Sequence, residues 1–204
     1  MKFSTSKTEL QKALQKLSKA TPTRSTLPIL SCVLIEVRDK KTVLKTTDLE
    51  ITIQVEIATS YERKGMAALP LKTLLEITNE LPEIRLTISV DDRKKTTIET
   101  ELGKYDLMAK PPEEFPETPK QTEPKTININ GLILKDIIEA TSFAVSQDEL
   151  KPSLTGVLFK FSEKGFTAVS TDGHRLVKYN RTDFCTENIY DEVIVPKKFL
   201  SFLA

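Results

Sequence analysis

The chain has 204 residues, enough for one or two domains that each bury a core. Thirty Lys and Arg against 29 Asp and Glu leave a formal net charge of +1, so any attraction for nucleic acid or for an acidic partner has to be local. No apolar run approaches the roughly 18 residues of a membrane span, and Met1 to Thr5 lacks a signal-peptide core. Cys32 and Cys185 have no metal-ligand spacing, so a soluble, cytoplasmic protein with free, buried thiols is predicted.

Ser6 to Lys19 reads as a helix, opened by the capping box Ser6-Lys7-Thr8-Glu9. Leu10, Ala13, Leu14 and Leu17 form its apolar stripe, and Lys12, Lys16 and Lys19 fall on the opposite face. That face is either solvated surface or a cationic rail for phosphates, and the sequence leaves both open. A loop carrying Arg24 leads through Pro28 into strands read at 29–37 and 42–57, with Thr47-Asp48 re-aiming the chain within the second. Pro70 opens a second helix, with Leu71, Leu74, Leu75 and Thr78 inward, ending at Leu81-Pro82. Strands are predicted at 84–90, 96–102 and 105–109, and prolines 111, 112, 116, 119 and 124 mark a linker from 111 to 124. Beyond it come a strand at 126–129, a helix capped by Asn130 and running to Val145, strands at 154–161 and 165–179, and a helix opened by Pro196.

The second half copies the first. At an offset of 124 (171 − 47), Leu10 aligns with Leu134, Leu14 with Ile138, Pro28 with Pro152, Leu30 with Leu154, Val33 with Val157, and Thr47-Asp48 with Thr171-Asp172. Two loop residues later, Leu69-Pro70-Leu71-Lys72 aligns with Val195-Pro196-Lys197-Lys198. A period this long means two domain-sized copies and not a solenoid. Each copy reads helix, strands, helix, strands with antiparallel hairpins, an α+β class. The copies span 1–124 and 125–204, and the second reaches only the equivalent of position 78 (204 − 126), so it reads as truncated.

Chemistry-bearing residues concentrate in Thr171-Asp172-Gly173-His174-Arg175-Leu176, which holds the single histidine. Asp172 orienting His174 as a base is the one enzyme-like arrangement, and a hydrolase built on it is the alternative reading. It lacks a glycine-flanked serine elbow, and there is neither a metal-ligand cluster nor a glycine-rich phosphate loop. No catalytic residue, metal or cofactor is therefore assigned. An apolar cleft suits the stretch better, with Gly173 leaving room beside Leu154, His174 and Leu176 for a partner's side chain.

Leu27-Pro28-Ile29-Leu30, Thr47-Asp48-Leu49-Glu50, Glu113-Glu114-Phe115-Pro116, Leu154-Thr155-Gly156-Val157-Leu158-Phe159, Thr171-Asp172-Gly173-His174-Arg175-Leu176 and Val193-Ile194-Val195-Pro196, in that order, resemble the bacterial sliding-clamp family, the beta subunit of DNA polymerase III. The resemblance covers the whole chain. It implies a DNA-clamp fold, with the first of three family domains, part of the second and none of the third. It also implies a non-catalytic replication processivity factor, associated with the nucleoid, whose two-chain ring encircles duplex DNA without reading its sequence. A homodimer ring is the family's assembly, and this fragment is not expected to close one. Partners implied are double-stranded DNA, the polymerase III catalytic subunit, the clamp loader and other proteins with clamp-binding motifs. The family's DNA contacts fall on Arg24, Lys72, Gln147, Asp148, Pro152 and Ser153, and the resemblance favours the rail reading of Lys12, Lys16 and Lys19. Its peptide pocket falls on Leu154, Thr171, Gly173, His174, Arg175 and Leu176, and its ring interface on Tyr105 and Leu107.

Overall fold

A computed structural model describes residues 1–22, 25–39, 41–118, 126–148, 150–162, 165–184 and 191–203. The chain divides into two compact units, Met1–Pro119 and Lys120–Ala204. In the first, β1 (Lys2–Ser6), α1 (Lys7–Ser18), β2 (Cys32–Val37), β3 (Thr42–Thr47), β4 (Thr52–Ile57), β5 (Ser60–Arg63), β6 (Gly65–Pro70), α2 (Leu71–Glu80), β7 (Arg85–Val90), β8 (Lys95–Thr100) and β9 (Gly103–Met108) follow in order. They make two antiparallel sheets, β4-β3-β2-β6 and β5-β1-β7-β8-β9.

α1 begins where its cap is: the Ser6 hydroxyl accepts the Glu9 N–H at 3.2 Å. Its stripe of Leu10, Ala13, Leu14 and Leu17 is buried among Leu44 of β3, Leu69 of β6, Leu74 of α2, and Leu86 and Ile88 of β7. The helix is also pinned from below. The buried Thr46 hydroxyl of β3 donates to the Leu17 carbonyl at 2.9 Å.

The second unit repeats this plan with α3 (Gly131–Thr141), β10 (Gly156–Ser162), β11 (Gly165–Thr171), β12 (Leu176–Arg181), β13 (Asp191–Pro196) and α4 (Lys197–Leu203). Its sheet order, β12-β11-β10-β13, matches β4-β3-β2-β6 strand for strand. The ladders agree to the residue: Thr47 faces Thr52 in one hairpin and Thr171 faces Leu176 in the other, each 124 further on (47 + 124 = 171, 52 + 124 = 176). The pin is copied too, with Ser170 donating to the Thr141 carbonyl at 2.7 Å.

Several expectations are corrected. Pro28–Ser31 is a 3-10 turn, because proline fixes the first φ and the Ser31 hydroxyl bonds back to the Pro28 carbonyl at 2.7 Å, so the strand starts at Cys32. The stretches read as single strands at 42–57 and 165–179 are each a hairpin, since Thr-Asp reverses the chain instead of re-aiming it. Residues 126–129 are not a strand. Their counterpart β1 takes its ladder from β5 and β7, and the position equivalent to the start of β7 would be 211 (85 + 126), outside the 204 residues. Residues 111–118 are packed and not a free linker: Phe115 is buried with Ile29, Leu30, Cys32, Leu34 and Ala68, and Lys45 Nζ sits 5.4 Å above its ring. Cys32 is a buried free thiol, and Cys185 lies outside the described residues.

Candidate functional site

Thr171 closes β11 and Leu176 opens β12, so the singled-out stretch is the turn of a hairpin. Its geometry is built from two side chains. The Thr171 hydroxyl accepts the Gly173 N–H at 3.1 Å and donates to the Arg175 carbonyl at 2.7 Å. Asp172 Oδ1 accepts the N–H groups of His174 and Arg175, each at 3.0 Å, and its Oδ2 takes Arg175 Nε at 2.9 Å. These bonds, the Arg175 and His174 backbone donors first and the Arg175 guanidinium after them, lower the Asp172 pKa from its ordinary 3.8 to about 2.

The first unit makes the same turn. Thr47 Oγ1 accepts the Leu49 N–H at 3.1 Å, and Asp48 Oδ1 accepts those of Glu50 at 3.1 Å and Ile51 at 2.7 Å. The position of His174 is there occupied by Glu50 (50 + 124 = 174). Asp172 therefore serves the backbone and does not orient the imidazole, as the hydrolase reading required. Among the described residues, no three His, Cys, Asp or Glu side chains gather to hold a metal ion.

The turn brings together Thr171, Gly173, His174, Arg175 and Leu176, and Arg175 extends the group. Its Nη2 donates to the Phe143 carbonyl at 2.8 Å, and its guanidinium lies 5.5 Å from the centre of the Phe143 ring. Leu154, in the 3-10 turn Pro152–Leu154, is tied to the same segment through Ser146 N–H, which bonds its carbonyl at 2.9 Å. Leu176 is 66% exposed and Phe143, the residue that holds the guanidinium, 53%, so two large apolar side chains are left open to a partner on this segment and its turn. Phe143 was not singled out from the sequence, where it falls inside the helix read to Val145; the structure ends that helix at Thr141 and puts Phe143 in a 3-10 turn. Gly173 is at φ +90°, and a Cβ built there meets nothing within 4 Å. The left-handed backbone favours glycine, and the space beside it is open.

The lysine face of α1 is intact. Lys12, Lys16 and Lys19 are exposed, line a shallow concavity of about 280 Å³ with Gln15, and have no ion-pair partner among the described residues. Lys72, in the first turn of α2, is exposed and 3.9 Å from Glu76. Gln147, Asp148, Pro152 and Ser153 are exposed on one loop, whose Asp148 Oδ1 accepts the Leu150 N–H at 3.0 Å. Arg24 lies outside the described residues. β9 is an edge strand, and its Tyr105 and Leu107 side chains turn half-buried towards the core. Lys104, Asp106 and Met108 of β9 face outward and are exposed.

Residues 1–119 match the family described as DNA polymerase III beta subunit, N-terminal domain, and residues 128–204 match its central domain. The chain belongs to the beta sliding clamp family. It is 29% identical over 198 residues to the beta sliding clamp of Chlamydia muridarum, covering 97% of this chain and 54% of that protein. Against the beta sliding clamp of Pseudomonas putida it is 32% identical over 206 residues, covering 100% and 56%. A crystal structure of the DNA polymerase sliding clamp from Bacillus subtilis superposes with a TM-score of 0.90 at 30% identity, covering all of this chain and 56% of that one. The chain thus spans about half the length of the sliding clamps it matches. No helix among its described residues is long and apolar enough to cross a membrane.

The Asp172 carboxylate has a pH signature. A carboxyl whose folded pKa is depressed stabilises the fold above its unfolded pKa, and that contribution fades as pH falls through the folded one. Asp172→Asn keeps the Oδ1 acceptor and removes the titration. The gap in urea midpoint between wild type and variant should therefore shrink as pH drops from 3.8 to about 2. A gap that stays constant across that window contradicts the assignment.

Proposed function

We propose that the chain is the DNA-holding and partner-binding portion of a replication processivity clamp, non-catalytic, acting on duplex DNA in the bacterial cytoplasm. The observation that carries this is the lysine face of α1. The buried stripe and the Thr46 pin fix the helix rotation, and three cations without ion-pair partners among the described residues point away from the core. Flexible lysines that reach phosphate oxygens supply attraction without base readout, which suits a protein that has to slide. On this reading the lysine face of α1 meets the phosphate backbone. Lys72, Arg24 and the loop residues Gln147, Asp148, Pro152 and Ser153 are proposed as further phosphate contacts, and the β9 edge as the strand that joins a partner chain when a ring closes. The chain should bind duplex DNA of any sequence with a Kd of roughly 10⁻⁴ to 10⁻⁶ M near physiological salt. Replacing Lys12, Lys16 and Lys19 together with alanine should flatten the plot of log K against log salt by about 2 to 3 units, at ~0.9 per lost phosphate contact. An unchanged slope in a titration by fluorescence anisotropy overturns the assignment.

The surface that carries Leu154, Phe143, Arg175 and Leu176 is proposed to take a short apolar peptide from the polymerase, the clamp loader or another replication protein. An inserted leucine or phenylalanine gains ~1.5–3 kcal/mol by burial, and such anchors dominate small interfaces. Gly173→Leu tests it, and the first unit supplies the folding control: Leu49 occupies the equivalent position at φ +80°. The variant should fold, with thermal unfolding still cooperative, while its affinity for such a peptide drops at least about tenfold, the equivalent of ~1.4 kcal/mol. Equal affinity rules the surface out.

A further inference from the structure

α1 and α3 are one helix used twice, and the copies differ on one face. Their caps correspond: the Ser6 hydroxyl accepts the Glu9 N–H, and the Asn130 side chain accepts that of Leu132 at 2.9 Å (6 + 124 = 130). So do their buried positions, Ala13 with Ile137, Leu14 with Ile138, and Leu17 with Thr141. The pins at Leu17 and Thr141 fix the same rotation against the sheet. The outward positions must then correspond as well. Lys12 becomes Asp136, Gln15 becomes Glu139, Lys16 becomes Ala140 and Lys19 becomes Phe143. The face that carries +3 on α1 carries −2 on α3. Lys135, 3.8 Å from Glu139, offsets one of those charges, and Asp136 has no ion-pair partner among the described residues.

We infer that the outward face of α3 repels phosphate, so that duplex contact through these paired helices is confined to α1. This rests on the proposed reading that the chain binds duplex DNA. Like charges within about 8 Å, the Debye length at physiological salt, are incompletely screened. An unpaired carboxylate facing a phosphate backbone therefore subtracts from affinity where the first unit adds to it. An acidic helix face beside a basic one lowers the total attraction, and weak total attraction is what sliding needs.

The test is Asp136→Lys combined with Glu139→Lys in the 204-residue chain, titrated with a duplex at several salt concentrations. A control of equal charge change, Glu101→Lys with Glu113→Lys, alters exposed positions elsewhere on the first unit. The α3 variant should bind about tenfold or more tightly at low salt and steepen the salt slope by about 1 to 2 units, whereas the control should shift affinity far less. If the α3 variant and the control behave alike, the inference falls and the DNA reading stands. If the wild-type chain shows no salt-dependent duplex binding, the reading falls and takes the inference with it.

Discussion

In each unit a buried hydroxyl on the second strand of the four-stranded sheet donates to a carbonyl in the last turn of the first helix, Thr46 to Leu17 and Ser170 to Thr141. Burial supplies most of the energy that docks α1, at ~1.5–3 kcal/mol for each of Leu10, Leu14 and Leu17. The hydrogen bond contributes less, about 1 kcal/mol net. Its weight lies in direction. A stripe of leucines tolerates small rotations of the helix, but a bond of 2.9 Å to one carbonyl does not. With the rotation fixed, the residues at 12, 16 and 19 have no choice but to face away from the sheet. What each unit can do at that surface follows from which side chains the sequence places there.

The Thr-Asp turn works in the same way. It closes β3–β4 and β11–β12 by the same side-chain bonds, and it sets the residue after the aspartate in the left-handed region in both copies. In one copy that residue is an exposed leucine and in the other a glycine, with Arg175 beside it clamped between Asp172 and Phe143. One scaffold therefore carries two surfaces, a lysine face on α1 and, at the β11–β12 turn, a cation held against Phe143.

Much of this was legible in the sequence. The offset of 124 could be read from apolar matches and the Thr-Asp pair, and α1 could be placed from its capping box and stripe. Other parts were hidden for identifiable reasons. β1 is polar on alternate positions, and β6, Gly-Met-Ala-Ala-Leu-Pro, has no alternation because its buried side is made of small residues. The two hairpins read as single long strands because a Thr-Asp-Leu turn contains neither glycine nor proline in the first copy. At the site, Asp172 beside His174 looked like a dyad. Where a carboxylate sends its lone pairs is decided by backbone reversal, which spacing does not display. Phe143 was invisible for a related reason: its partner Arg175 lies 32 residues away in sequence.

The most direct test of the account is a map of lysine reactivity with an amine-labelling reagent, read residue by residue by mass spectrometry, with and without duplex DNA. At low salt Lys12, Lys16 and Lys19 should lose reactivity when the duplex is added and recover it at high salt, while Lys135 on α3 and the ion-paired Lys41 and Lys95 stay unchanged. Protection spread evenly over all lysines, or absent from the three on α1, would contradict it.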